Sequence, residues 1–140
     1  PAAAEADFPQ QTCLIQNDLD YSQLNITPRT YVVIATLHKG DHLSMQRALE
    51  GQARYIGLVA SQRRSGLVVD FLRERGIAPE RMANVHAPAG LDLGAANPRE
   101  IALSIMSEIV AVRHGGSCRP LREVESNAGT APQDCLHQSP

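Results

Sequence analysis

The feature that most constrains this chain is an alternation of β-branched apolar runs with segments of helical periodicity, repeated between residues 31 and 113. Such alternation is how β-α-β units read. A strand covered on both faces is apolar throughout, whereas the helices between strands are apolar on one stripe only. Tyr31-Val32-Val33-Ile34-Ala35-Thr36, following Thr27-Pro28, predicts a central strand of this kind. Asp41 stands where it can cap a helix that carries Leu43, Met45, Ala48 and Leu49 and ends near Gly51. Tyr55-Ile56-Gly57-Leu58-Val59-Ala60 predicts the next strand. Ser61 can cap a second helix with Leu67, Val68, Phe71 and Leu72 on one face, stopped after Arg73 and Arg75 by Gly76. Asn84-Val85-His86 predicts a brief third strand. Asn97, Pro98 and Glu100 then fit a reciprocal helix cap. In the helix that follows, Ile101, Ala102, Ile105, Met106, Ile109, Val110 and Val112 form a stripe wide enough to pack on more than one side, running to about Arg113 before Gly115-Gly116. The expectation from this pattern is an α/β domain with a mostly parallel sheet.

A length of 140 residues suits one core and not two. The domain is expected to span residues 11–116, with residues 1–10 a loose segment and residues 117–140 a flexible tail. A net charge of -2, with two Phe, three Tyr and no Trp, offers neither a field for polyanions nor a platform for stacking bases, and no nucleic-acid partner is expected. No run approaches the roughly 18 apolar residues of a membrane span, and the start lacks the form of a secretory signal. Cys13, Cys118 and Cys135 make neither a CxxC pair nor an even-numbered framework. They suit reduced thiols in the cytoplasm, and no bound metal is expected.

Loops that follow strands gather at the carboxyl edge of a parallel sheet, where ligands bind. The first, Thr36-Leu37-His38-Lys39-Gly40-Asp41, offers a hydroxyl, an imidazole, an ammonium and a carboxylate; it also reads as a solvated turn with Asp41 as the cap. The second, Ala60-Ser61-Gln62-Arg63-Arg64, sets two guanidiniums at a helix start. They oppose the helix dipole there unless an anion such as phosphate joins them. The plainer alternative is a Ser61 cap with solvated arginines. The third, His86-Ala87-Pro88-Ala89-Gly90-Leu91-Asp92-Leu93-Gly94-Ala95, implies a fixed and unusual backbone path. His86 and Asp92 are its evident acid-base pair, yet no nucleophile accompanies them, so no catalytic residue is assigned. Asp92 is expected to accept backbone N–H bonds and His86 to act as a support.

These three loops, with Asn97-Pro98-Arg99-Glu100-Ile101-Ala102-Leu103-Ser104-Ile105, resemble in order and spacing the C-terminal Rossmann domain of the XdhC/CoxI family of molybdenum-enzyme maturation factors. The segment Ala87-Pro88-Ala89-Gly90-Leu91-Asp92-Leu93-Gly94-Ala95 is the most specific part. The Ala60-Ser61 form and the His38-Lys39-Gly40-Asp41 loop look more like members associated with carbon monoxide dehydrogenase-type enzymes than xanthine dehydrogenase factors. The resemblance implies a Rossmann-like three-layer α/β domain with a mostly parallel sheet and an accessory role, without turnover of its own. The chain would bind molybdenum cofactor, as molybdopterin or its dinucleotide form, and aid its sulfuration or insertion into a hydroxylase subunit, with a cysteine desulfurase as a further partner. The cofactor-binding residues it implies are Thr36, His38, Lys39, Asp41, Ser61, Arg63, Arg64, His86, Gly90, Asp92 and Gly94.

Family members usually open this domain with a glycine-rich strand-turn-helix, and that unit is not among these residues, so the Rossmann unit reads as truncated at its N-terminal side. A homodimer, or a partner that completes the sheet, is expected to cover the surface this leaves. A nucleotide-dependent oxidoreductase is the alternative, weakened by the lack of a GxGxxG or GxxxxGK[ST] loop; a structural interaction domain with a decayed ligand site is another.

Overall fold

The structure, a computed structural model, describes residues 24–36 and 40–124. Three parallel strands, β1 (Tyr31–Ile34), β2 (Tyr55–Leu58) and β3 (Val85–His86), form one sheet in the order β1-β2-β3. Helix α1 (Asp41–Glu50) links β1 to β2, α2 (Gln62–Glu74) and the single turn α3 (Pro79–Met82) link β2 to β3, and α4 (Pro98–His114) follows β3. A short 3-10 turn at Leu121–Glu123 comes last. No helix among the described residues is long and apolar enough to cross a membrane.

Alternation along the strands separates two faces. Ile34, Ile56 and Leu58 are buried with Met45, Ala48 and Leu49 of α1 and Val68 and Leu72 of α2, which places the main core between the sheet and these two helices. Tyr55 and Gly57 point the other way, toward α4, whose Glu108 accepts the Tyr55 hydroxyl. The result is a three-layer arrangement. A fully apolar β2 is what a strand packed on both faces requires, and every residue from Tyr55 to Leu58 is buried.

Of the three described strands the middle one is β2, and the 31–36 run supplies the strand beside it. Among the described residues β1 pairs only with β2, ends at Ile34, and leaves Val33 44% exposed on the α4 side. An apolar run reads alike in a central strand and in an edge strand, because its pairing is decided by the rest of the sheet. The free side of β1 borders an apolar groove of about 450 Å³ that includes Leu24, Ile26, Val33 and Ala35.

Local signals fixed most helix ends as expected. Asn97 accepts from the amides of Arg99 and Glu100 while Glu100 reaches back to the amide of Asn97, a complete reciprocal cap. Gly115, at φ 70°, closes α4 in the left-handed region, and Ser61 caps α2. The cap of α1 differs: Gly40, at φ 85°, holds that position and no side chain caps the helix. Asp41 lies one residue inside, because its carboxylate is engaged elsewhere. The segment 1–10, most of the 117–140 tail, Cys13 and Cys135 lie outside the described residues.

Candidate functional site

Three post-strand segments meet at the carboxyl edge of the sheet. Beyond Leu58 the chain stays in register with its neighbours: Val59 N–H donates to the Ile34 carbonyl at 2.8 Å and Ala89 N–H to the Leu58 carbonyl at 2.9 Å. Residues 89–95 then arch over toward α4, where Leu91 N–H meets the Ser104 carbonyl at 3.3 Å. A crevice of about 400 Å³ lies between them, lined by Val59 and Ala60 after β2, by Ala89 and the run from Leu91 to Ala95, and by Ile101 and Ser104 of α4. Its volume is within the range of small-ligand sites.

On the α1 side of this edge, Thr36, Asp41 and Arg64 form one cluster. The Thr36 hydroxyl donates to one oxygen of Asp41, and Arg64 Nε donates to the other at 2.5 Å. Asp41 is buried, so its carboxylate would be costly without these partners. Burial pushes the Asp41 carboxyl upward and His42 pulls the other way. The cluster ties the end of β1 and the starts of α1 and α2 into a single unit. His38 and Lys39, the remaining candidates of the first loop, lie outside the described residues.

This arrangement narrows the anion reading of the α2 start. Arg64 is committed to Asp41, and Ser61 Oγ accepts from Arg64 N–H at 3.4 Å while keeping its own proton for an acceptor. Arg63 is exposed, with no partner among the described residues. Ser61 directly follows the crevice-lining Val59 and Ala60 in the chain, and Arg63 comes two residues later.

The third loop is anchored by a residue absent from the expected set, Glu108. Its Oε2 accepts the Tyr55 hydroxyl at 2.7 Å and Gly90 N–H at 2.7 Å, and its Oε1 pairs with His86 Nδ1 at 3.0 Å. His86 also stacks on Tyr55, with ring centroids 4.4 Å apart. Burial pushes the Glu108 carboxyl up, but the bonds from Tyr55, Gly90 and His86 outweigh it and hold the group below its ordinary 4.5. Burial first, and then the hydrogen bond to and charge of Glu108, drive the Tyr55 phenol upward. The carboxylate partner of His86 is thus Glu108 and not Asp92. Asp92 is exposed and accepts Gly94 N–H at 3.3 Å, the backbone role expected of it.

Gly90 has a definite reason to be glycine. Its φ is 106°, and a Cβ there would lie 2.4 Å from Ser104 Oγ. Gly94 shares the positive φ, at 66°, with open space around it. The Ala87–Pro88 peptide is cis. Glu108 was hidden in the sequence because it sits on the apolar stripe of α4, 22 residues beyond His86, and only the crossing of α4 over β2 brings the two together. One polar residue at a stripe position is the signal that was available. No group of three or more metal-ligating side chains occurs among the described residues.

Residues 1–109 match the family model of the XdhC Rossmann domain. The uncharacterized protein YqeB of Escherichia coli (strain K12) is 36% identical over 110 residues, covering 76% of this chain and 20% of YqeB. A crystal structure of a xanthine dehydrogenase from Bacillus halodurans is similar with a TM-score of 0.57 and 27% identity, covering 75% of this chain and 29% of that one. The chain thus spans about a fifth of its curated relative and under a third of the solved one.

Proposed function

Because the chain belongs to the XdhC family through its Rossmann domain, we propose that it is an accessory domain that holds molybdenum cofactor as cargo for a hydroxylase of the xanthine dehydrogenase or carbon monoxide dehydrogenase type. The observation that carries this reading is the crevice of about 400 Å³ between the end of β2, the arched 89–95 segment and α4, with the capped start of α2 beside it. The residues present suit such a cargo. Apolar walls from Val59, Leu91 and Ile101 accept a flat ring, and the first-turn N–H groups of α2, the Ser61 proton and Arg63 accept a phosphate.

The cargo supplies the metal chemistry, which belongs to the recipient enzyme; the domain's own residues bind, orient and release. Arg63 and the α2 dipole hold the anionic end. The Thr36–Asp41–Arg64 cluster keeps the start of α2 fixed against α1, and Glu108 fixes the opposite wall through Gly90. Asp92 and Gly94 shape the mouth of the crevice. The role is that of a cofactor chaperone in the cytoplasm, aiding sulfuration or insertion. Its partners on this reading are a hydroxylase subunit as recipient and a cysteine desulfurase as sulfur source. The side of β1 that no described strand pairs, with its apolar groove, supports association with a further strand, from a second copy or from the recipient.

The test is retention of isolated molybdopterin by the purified chain in equilibrium dialysis, with Arg63→Ala as the paired variant. Retention that falls on the substitution supports the reading. Failure of the unmodified chain to retain the pterin at micromolar concentration overturns it.

A further inference from the structure

Helix α4 carries a second face that neither the sheet nor the crevice uses. Arg99, Leu103, Met106, Val110 and Arg113 are spaced four, three, four and three residues apart, so they stand in one straight ridge along the helix. All five are exposed, with Leu103 at 61%, Met106 at 55% and Val110 at 51%. Ile105 and Glu108, which face the sheet side, lie on the opposite side of the helix. Among the described residues neither the Arg99 nor the Arg113 guanidinium has a hydrogen-bond or ion-pair partner. The ridge is therefore an apolar seam of three side chains with a cation at each end that no described residue pairs, about 21 Å long at the α-helical rise.

We infer that this ridge is the docking seam for an amphipathic helix of a different protein chain, one whose apolar seam is bracketed by carboxylates at both ends. The spacing argues for a helical occupant, because the 4-3 repeat is the register in which one helix receives the knobs of another. The charges argue against a second copy. In an antiparallel two-fold pair Arg99 meets the partner's Arg113, and in a parallel pair each arginine meets its own counterpart, so either arrangement sets cation against cation. An occupant with Asp or Glu at each end turns both repulsions into ion pairs at the rim, where charge sets partner choice and register. This inference does not depend on what the crevice binds.

The experiment uses the purified 140-residue chain and a labelled synthetic helix of about 18 residues, long enough to span the ridge, with leucines at the 4-3 spacing and glutamates at both ends, read by fluorescence anisotropy without cofactor. Binding is expected, weakened about tenfold or more when lysines replace the peptide's glutamates. Met106→Asp is expected to abolish it. The double variant Arg99→Glu, Arg113→Glu is expected to reverse the preference, favouring the lysine peptide, which a merely structural role for these exposed arginines would not produce. Three results overturn the inference: no binding to the intact chain, equal binding of both peptides, or a wild-type dimer in light scattering that Met106→Asp converts to monomer.

Discussion

Removing the carboxylate of Glu108 tests how the arched loop is held. Glu108→Ala deletes the shared acceptor of two buried or half-buried donors, the Tyr55 hydroxyl and Gly90 N–H, each bonded at 2.7 Å. Tyr55 is fully buried and Glu108 is 16% exposed, so water reaches the vacated position poorly. At about 1–3 kcal/mol for each donor left unsatisfied, the expected loss is about 3 kcal/mol. Glu108→Gln is the control. Both donors use Oε2, so one amide oxygen can serve them, and the amide nitrogen then stands at the Oε1 position and donates to the Nδ1 of neutral His86. Its expected cost is under about 1 kcal/mol, the difference between a charge-assisted and a neutral bond. Urea unfolding followed by far-ultraviolet circular dichroism measures both. An alanine variant within about 0.5 kcal/mol of wild type, the range of ordinary surface changes, refutes the reasoning. A glutamine variant as damaged as the alanine one does so too.

The same carboxylate makes stability depend on acid. Its folded-state pKa is held below the ordinary 4.5, so its contribution is complete above 4.5 and is lost as pH falls through the lower folded value; Glu108→Gln is expected to flatten the stability profile below pH 4.5. Gly90→Ala combines a positive φ with a Cβ 2.4 Å from Ser104 Oγ and is expected to cost about 2 kcal/mol or more, whereas Gly94→Ala, in open space, is expected to cost about 1 kcal/mol in the same denaturation assay. Arg64→Ala leaves the buried Asp41 carboxylate with one partner fewer and is expected to lower stability by about 2 kcal/mol, while Arg63→Ala changes it by less than about 0.5 kcal/mol. Equal effects of the two arginines contradict their assignment to different tasks.

Local chemistry was the legible part of this chain. Asn97, Pro98 and Glu100 state a helix start among themselves, and Ser61 and Gly115 act within a turn of their own positions, so their roles needed no knowledge of the fold. Order in the sheet was not legible. The run from Tyr31 to Ala35 is as apolar as a strand paired on both sides, yet among the described residues only β2 pairs with it. Asp41 illustrates the same limit at the site: a carboxylate at a helix start reads as a cap, but the approach of Thr36 and Arg64 gives it partners that the local pattern does not contain. Arg64 likewise gains a carboxylate partner 23 residues away, whereas Arg63 has none among the described residues. His86 and Asp92 look like a pair when six residues separate them in the chain, whereas the bond that forms joins His86 to a residue 22 positions away.

The central claim is that the crevice at the carboxyl edge holds a pterin with its anionic end at the start of α2. Equilibrium dialysis of isolated molybdopterin against wild type and Arg63→Ala measures it directly. The account predicts saturable binding to the wild-type chain, weakened by about tenfold in the variant, the scale of one lost charge-assisted contact, with unfolding curves of the two proteins superimposed. Absence of saturable binding, or equal affinity in both proteins, contradicts it.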